Sequence, residues 1–120
     1  MMKKILICDD SPVDRASLEK IVTESGNQAV VVNNGKEAVE RAKAEKPALI
    51  FLDIVMPDVD GYAACRALAS DPETKGIPVV FVTSKGQKAD RLWAQMQGGK
   101  DLVAKPYERA QILEQLKLRA

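Results

Sequence analysis

The chain has 120 residues, 46% apolar and 29% charged, a globular balance that accommodates one domain over residues 1–120 and no second folded module. Eighteen Lys and Arg against seventeen Asp and Glu leave a net charge of +1, which excludes the basic footprint of a nucleic-acid binder and an acidic tail. With no histidine, a Ser-His-Asp or Cys-His catalytic set and an imidazole-ligated zinc site are excluded as well.

In chain order, the basic start at Lys3-Lys4 leads into the apolar run Ile5-Leu6-Ile7-Cys8, which stops at Asp9 and Asp10. That run is too short for a signal peptide or a membrane span, so the chain reads as soluble and cytoplasmic, with no membrane insertion. Ser11-Pro12 suits an N-cap followed by proline in the first turn of a helix. Leu18, Ile21 and Val22 share one face of that helix, and Gly26-Asn27 ends it. Ala29 to Val32 is the second apolar run; Asn33-Asn34-Gly35 breaks the chain before a helix marked by Ala38, Val39 and Ala42. The third run, Ala48 to Leu52, ends at Asp53 and precedes a shorter helix carrying Cys65 and Leu68. Pro78 to Val82 is the fourth, ending at Thr83-Ser84, and Leu92, Trp93 and Met96 follow at the i, i+1, i+4 spacing of an apolar helix face. Leu102 to Ala104 is the last, ending at Lys105-Pro106, and Ile112, Leu113 and Leu116 repeat the helical spacing. The two cysteines, Cys8 and Cys65, sit far apart in apolar surroundings and read as small buried hydrophobes in a reducing compartment.

The apolar runs are near-continuous rather than alternating, as in strands covered on both faces. Five β-α units then call for an α/β fold, a parallel sheet with helices on both sides. Ligands of such sheets gather at the carboxyl ends of the strands. The residues there are Asp9-Asp10, Asp53, Thr83-Ser84 and Lys105-Pro106. Three carboxylates brought together repel one another unless a hard divalent cation such as Mg²⁺ bridges them. A lysine and a hydroxyl opposite could hold the oxygens of a phosphoryl group. Each piece also has a purely structural use: Asp9 and Asp10 as acids at a helix start, Asp53 before a turn, Thr83 or Ser84 as a cap of the fourth helix, Lys105 as a surface lysine.

Across nearly its whole length the chain resembles the receiver domains of two-component response regulators, of the single-domain chemotaxis type. The resemblance rests on Ile7-Cys8-Asp9-Asp10-Ser11, on Leu52-Asp53-Ile54-Val55-Met56-Pro57 followed by Asp60-Gly61, on Val82-Thr83-Ser84 and on Lys105-Pro106. It implies a flavodoxin-like doubly wound fold of five helices and a five-stranded parallel sheet in the order 2-1-3-4-5. It further implies that Asp53 accepts a phosphoryl group from the phosphohistidine of a sensor histidine kinase or a phosphotransfer protein. Mg²⁺ would be ligated by Asp10, Asp53 and the backbone carbonyl of Val55, and held through water by Asp9. Thr83 and Lys105 would each bind a phosphoryl oxygen, and the Lys105-Pro106 bond would be cis. Self-catalysed phosphoacceptance and autodephosphorylation would be the only reactions, with no enzymatic turnover of a separate substrate.

The same resemblance places the output face on the fourth helix, fifth strand and fifth helix, with Ser84 and Trp93 on or beside it. In the family a Tyr, Phe or His stands three residues before the lysine; here that position is Leu102, without ring or hydroxyl. Weakened switching, a phosphate sink, and a phosphorylation-independent binding domain are therefore alternatives. Asp90-Arg91-Leu92-Trp93 and Gln97-Gly98-Gly99 are similar to response regulators of the pilus twitching-motility pathway. Trp93 itself is open to two readings, a core or half-buried helix residue or a docking anchor. A stand-alone Mg²⁺-dependent phosphotransferase or phosphatase would want a second acid two residues after Asp53, where Val55 stands, and a dinucleotide-binding domain would want a glycine-rich turn after the first strand. Output would pass to a downstream protein target by protein contact, with no nucleic-acid partner.

Overall fold

Successive side chains of a strand point to opposite faces of its sheet, and here both faces of nearly every strand are apolar. A computed structural model describes residues 2–120. Strands β1 (Lys4–Cys8), β2 (Gln28–Val32), β3 (Leu49–Leu52), β4 (Val79–Thr83) and β5 (Asp101–Ala104) alternate with helices α1 (Pro12–Glu24), α2 (Gly35–Glu45), α3 (Gly61–Ser70), α4 (Lys88–Met96) and α5 (Arg109–Arg119). Every pairing is parallel, and the spatial order is β2-β1-β3-β4-β5, the order that the family resemblance implies.

The alternation divides the interior in two. Leu6 and Cys8 of β1, Ile50 and Leu52 of β3, and Phe81 of β4 join Ala38, Ala42, Ala64, Cys65, Leu68 and Ala94, so α2, α3 and α4 cover one face. Ile5, Ile7, Leu49, Phe51, Val80 and Val82 point the other way onto Leu18, Ile21, Val22, Ile112 and Leu116 of α1 and α5. Each fully buried Leu, Ile or Phe contributes about 1.5–3 kcal/mol relative to exposure. Cys8 and Cys65 are free thiols inside the first of these cores, as small hydrophobes. None of the helices among the described residues is long and apolar enough to cross a membrane.

The local signals at the helix ends act as read. Ser11 caps α1, its Oγ accepting from Asp14 N at 3.3 Å with Pro12 in the first turn. Gly26, just past the helix, takes φ +89°, a left-handed value that costs glycine nothing. Asn34, in the break read before α2, caps that helix by accepting from Glu37 N; Asp60, which carried no such reading, caps α3 by accepting from Ala63 N. Two expectations for α4 need correction. Its cap is Gln87, whose backbone N–H donates to Asp90 Oδ2 at 3.2 Å, rather than Thr83 or Ser84. Its apolar stripe faces out: Leu92, Trp93 and Met96 are 61%, 49% and 64% exposed, while Ala94 turns inward. A helix that covers only the edge of the sheet needs one small residue for close packing, and β5 turns just Leu102 to that face while Val103 points to the α1 and α5 side, which leaves the larger side chains in solvent.

Candidate functional site

Parallel strands end at one edge, and the chain leaves each strand there with a polar residue. Asp9 follows β1, Asp53 follows β3, Thr83 closes β4 and Lys105 follows β5. Since β1, β3, β4 and β5 are consecutive neighbours, residues up to 96 positions apart in the chain converge. Lys105 Nζ donates to Asp9 Oδ2 at 2.7 Å, to Asp53 Oδ2 at 3.1 Å and to Asp14 Oδ2 at 2.9 Å. The Lys105-Pro106 peptide bond is cis.

The surroundings restrict these groups. Asp9 is 1% exposed and Asp53 7%. Asp53 Oδ1 accepts from Ile54 N at 2.7 Å and Asp9 Oδ1 from Ser11 N at 2.9 Å, so the backbone fixes one oxygen of each carboxylate. Burial pushes the Asp9 carboxyl above its usual range, against the opposing pull of its hydrogen bonds to Lys105 and Ser11 and with help from the Asp53 charge. Burial acts on Lys105 in the opposite sense, but hydrogen bonds to Asp9 and Asp14 and the charge of Asp53 outweigh it and hold the ammonium protonated well above the ordinary lysine range. Thr83 is fully buried and its Oγ1 accepts from Lys85 N at 3.2 Å.

Oxygens of Asp9, Asp10 and Asp53 lie within 4.8 Å of one another, Asp10 being the exposed member. Three hard oxygen donors at one point suit Mg²⁺ better than any softer metal, and among the described residues Lys105 is the one ammonium paired with Asp9 and Asp53. The residues present therefore fit a divalent cation. Val55, two residues beyond Asp53, carries a half-exposed side chain on the loop before α3.

The remaining sequence-derived positions lie apart from the acids. Ser84 is exposed, directly after Thr83. Leu102 is buried in the core beneath α4, and its carbonyl accepts from Arg91 Nη1 at 2.8 Å. Trp93 stands half-exposed on α4, which fits a half-buried helix residue and excludes a place in the core. Arg91, Ala94, Gln95, Lys100 and Leu102 line a groove between α4 and β5.

The roles of three residues were missed. Asp14 is the third carboxylate on Lys105; its signal was an acid in the first turn of a helix that begins at an acidic strand end. Gly61 passes so close to the phosphoacceptor candidate that a Cβ there would lie 2.0 Å from the Asp53 carbonyl oxygen. Tyr62 packs edge-on against Phe81, with ring centroids 5.5 Å apart, and donates its hydroxyl to the Asp90 carbonyl at 3.4 Å. Nothing in the sequence distinguishes that ring from any other half-buried tyrosine.

Comparisons with known proteins agree with this geometry. The family model described as the response regulator receiver domain matches residues 5–117. Protein PilH of Pseudomonas aeruginosa is 40% identical over 113 residues, a match covering 94% of this chain and 93% of that protein. Chemotaxis protein CheY of Thermotoga maritima is 35% identical over 118 residues, covering 97% and 96% respectively. Other relatives are longer: the chain spans 24% of the response regulator PleD of Caulobacter vibrioides, at 33% identity. Among solved structures, the receiver domain of the sensor histidine kinase PA1611 of Pseudomonas aeruginosa superposes with a TM-score of 0.91 at 27% identity, covering 99% of this chain and 98% of that one; it holds a magnesium ion in its active-site cleft. The chemotaxis protein CheY4 of Vibrio cholerae, 22% identical with a TM-score of 0.92 over the whole of both chains, shares the fold.

Proposed function

The chain belongs to the response regulator receiver domain family, and from that premise we propose that it is a stand-alone cytoplasmic response regulator phosphorylated on Asp53. The observation that carries the reading is the convergence of Lys105, Asp9 and Asp53, with buried Thr83, at the ends of adjacent strands. An Asp53 oxygen attacks the phosphorus of a phosphohistidine on a sensor kinase or phosphotransfer protein. The O–P bond forms as the P–N bond breaks, and the departing imidazole takes up a proton.

Each neighbour has a part. The Ile54 amide holds the Asp53 carboxylate in place. Lys105 lies within hydrogen-bond reach of Asp53 and supplies positive charge to a phosphoryl oxygen there, and Thr83 offers its hydroxyl to another. Mg²⁺, held by Asp10, Asp53 and the Val55 carbonyl with Asp9 through water, would neutralise charge spread over the phosphoryl oxygens. Hydrolysis of the aspartyl phosphate, with water attacking phosphorus, returns the carboxylate and inorganic phosphate. No separate substrate is turned over, so the chain is a signalling protein rather than an enzyme.

Output passes by protein contact through α4, β5 and α5 to a downstream target in a chemotaxis or twitching-type pathway, supported by the likeness to CheY and PilH. A second reading, a phosphate sink or a phosphorylation-independent binding domain, draws on Leu102, an aliphatic core residue where the family carries a ring. Incubation with acetyl phosphate and Mg²⁺ should label wild type and leave Asp53→Asn unlabelled; a wild type that takes up no phosphate defeats the proposal. Recovery of a partner protein that is equal for wild type and Asp53→Ala, with or without beryllofluoride, would select the phosphorylation-independent reading.

A further inference from the structure

A lysine ammonium has three hydrogens and accepts nothing. Lys105 spends all three on carboxylates: Asp9 at 2.7 Å, Asp14 at 2.9 Å and Asp53 at 3.1 Å. Two of those acids belong to the group of three whose oxygens can close on a metal; Asp14 does not. It stands in the first turn of α1, its side chain 40% exposed, where the Ser11 cap fixes its backbone. One turn further on, Ser17 Oγ lies 2.9 Å from the Tyr107 hydroxyl, so the start of α1 is tied twice to the segment that follows β5.

Cations of the same sign compete for Asp9 and Asp53. A divalent ion entering the acids repels the ammonium from its two inner partners, and a lysine stem is flexible enough to swing into solvent. With Asp14 in place, the ammonium keeps one carboxylate outside the metal group and stays beside Asp53, where a phosphoryl group arrives.

We propose that Asp14 is a positioning residue for Lys105: it draws the ammonium toward the rim of the acidic cluster, which eases divalent-cation binding and holds the lysine in reach of the phosphoryl group. The proposal rests on the receiver reading of the site, and its test separates the two. Mg²⁺ affinity of the unphosphorylated chain is measured by calorimetry for wild type, Asp14→Asn, Lys105→Ala and the double variant. Losing Asp14 leaves the ammonium wholly on Asp9 and Asp53, so Asp14→Asn should bind Mg²⁺ roughly threefold more weakly, the size of effect a partly exposed charge pair exerts.

In the Lys105→Ala background the same substitution should change affinity little, because the group through which Asp14 acts is gone. Lys105→Met, which keeps the apolar stem, serves as the background if Lys105→Ala does not fold. Acetyl phosphate labelling at saturating Mg²⁺ should also slow in Asp14→Asn. An undiminished Mg²⁺ affinity in Asp14→Asn, or a loss that persists in full without Lys105, overturns the positioning role. Failure of wild type to be labelled defeats the receiver reading instead, and leaves the binding cycle to decide the role of Asp14.

Discussion

Lys105 Nζ lies 2.7 Å from Asp9 Oδ2, although 96 residues separate them and Asp9 is 1% exposed. The chain thereby closes its last strand onto its first with a charge pair, across the strand ends where phosphoryl transfer is proposed. In the absence of metal this pair offsets the burial of two carboxylates.

Removing the lysine should therefore matter most without metal. Lys105→Ala leaves Asp9 and Asp53 buried without their counter-ion, a loss of about 3 kcal/mol in urea unfolding with chelator present. Saturating Mg²⁺ should recover most of that stability, because a divalent ion supplies the missing charge. Equal losses with chelator and with Mg²⁺ would show that the lysine serves packing instead.

Gly61 should tolerate no side chain. A Cβ there would stand 2.0 Å from the Asp53 carbonyl oxygen and 2.8 Å from Ile54 Cα, backbone atoms that cannot turn aside. Gly61→Ala should destabilise the fold by about 1–3 kcal/mol, typical of overpacking, and slow acetyl phosphate labelling because Asp53 must shift. A variant that melts like wild type and is labelled at the same rate would contradict this close approach.

The two thiols carry a pH dependence of definite sign. Burial first, then the charges of Asp9 and Asp53, push Cys8 from an ordinary 9.0 to about 12, and burial takes Cys65 to about 11. Folded thiols thus stay neutral where unfolded ones ionise. Their stabilisation is whole below an ordinary thiol value and is lost as pH rises toward the folded values, by about 1.4 kcal/mol per pH unit for each thiol. Urea midpoints measured from neutral pH upward should fall in that window, and less steeply in Cys8→Ala. A thiol reagent at mildly alkaline pH should find both cysteines slow in the native chain and fast in urea.

The outward face of α4 should be neutral for folding and costly for output. Leu92, Trp93 and Met96 are each about half exposed or more, so replacing them singly with Ser should shift stability by no more than about 0.5 kcal/mol. Recovery of the downstream partner with beryllofluoride-treated protein should drop in the same variants. Leu102→Ala, by contrast, opens the core and should cost about 2–5 kcal/mol.

Much of this architecture was legible beforehand. Near-continuous apolar runs separated by helical spacing required a parallel sheet with two cores, and Ser11-Pro12 and Asn33-Asn34-Gly35 marked helix starts that the fold uses. Parallel strands share one edge, so the polar residues ending β1, β3, β4 and β5 had to meet once the strand order was known. The family resemblance supplied that order, and the fold agrees with it. Periodicity misled at α4, since spacing says which residues share a face and is silent on which face the sheet covers.

The sequence by itself determined the fold class, the two-sided core and the identities of the strand-end acids, threonine and lysine, because these follow from local periodicity and chain order. Only the tertiary structure decided that Asp14 shares Lys105 with Asp9 and Asp53, that Gly61 presses on the Asp53 backbone, and that Trp93 faces solvent while Leu102 does not. Those relationships depend on how helices rotate and lean against a twisted sheet, at distances of a few ångströms between residues far apart in the chain.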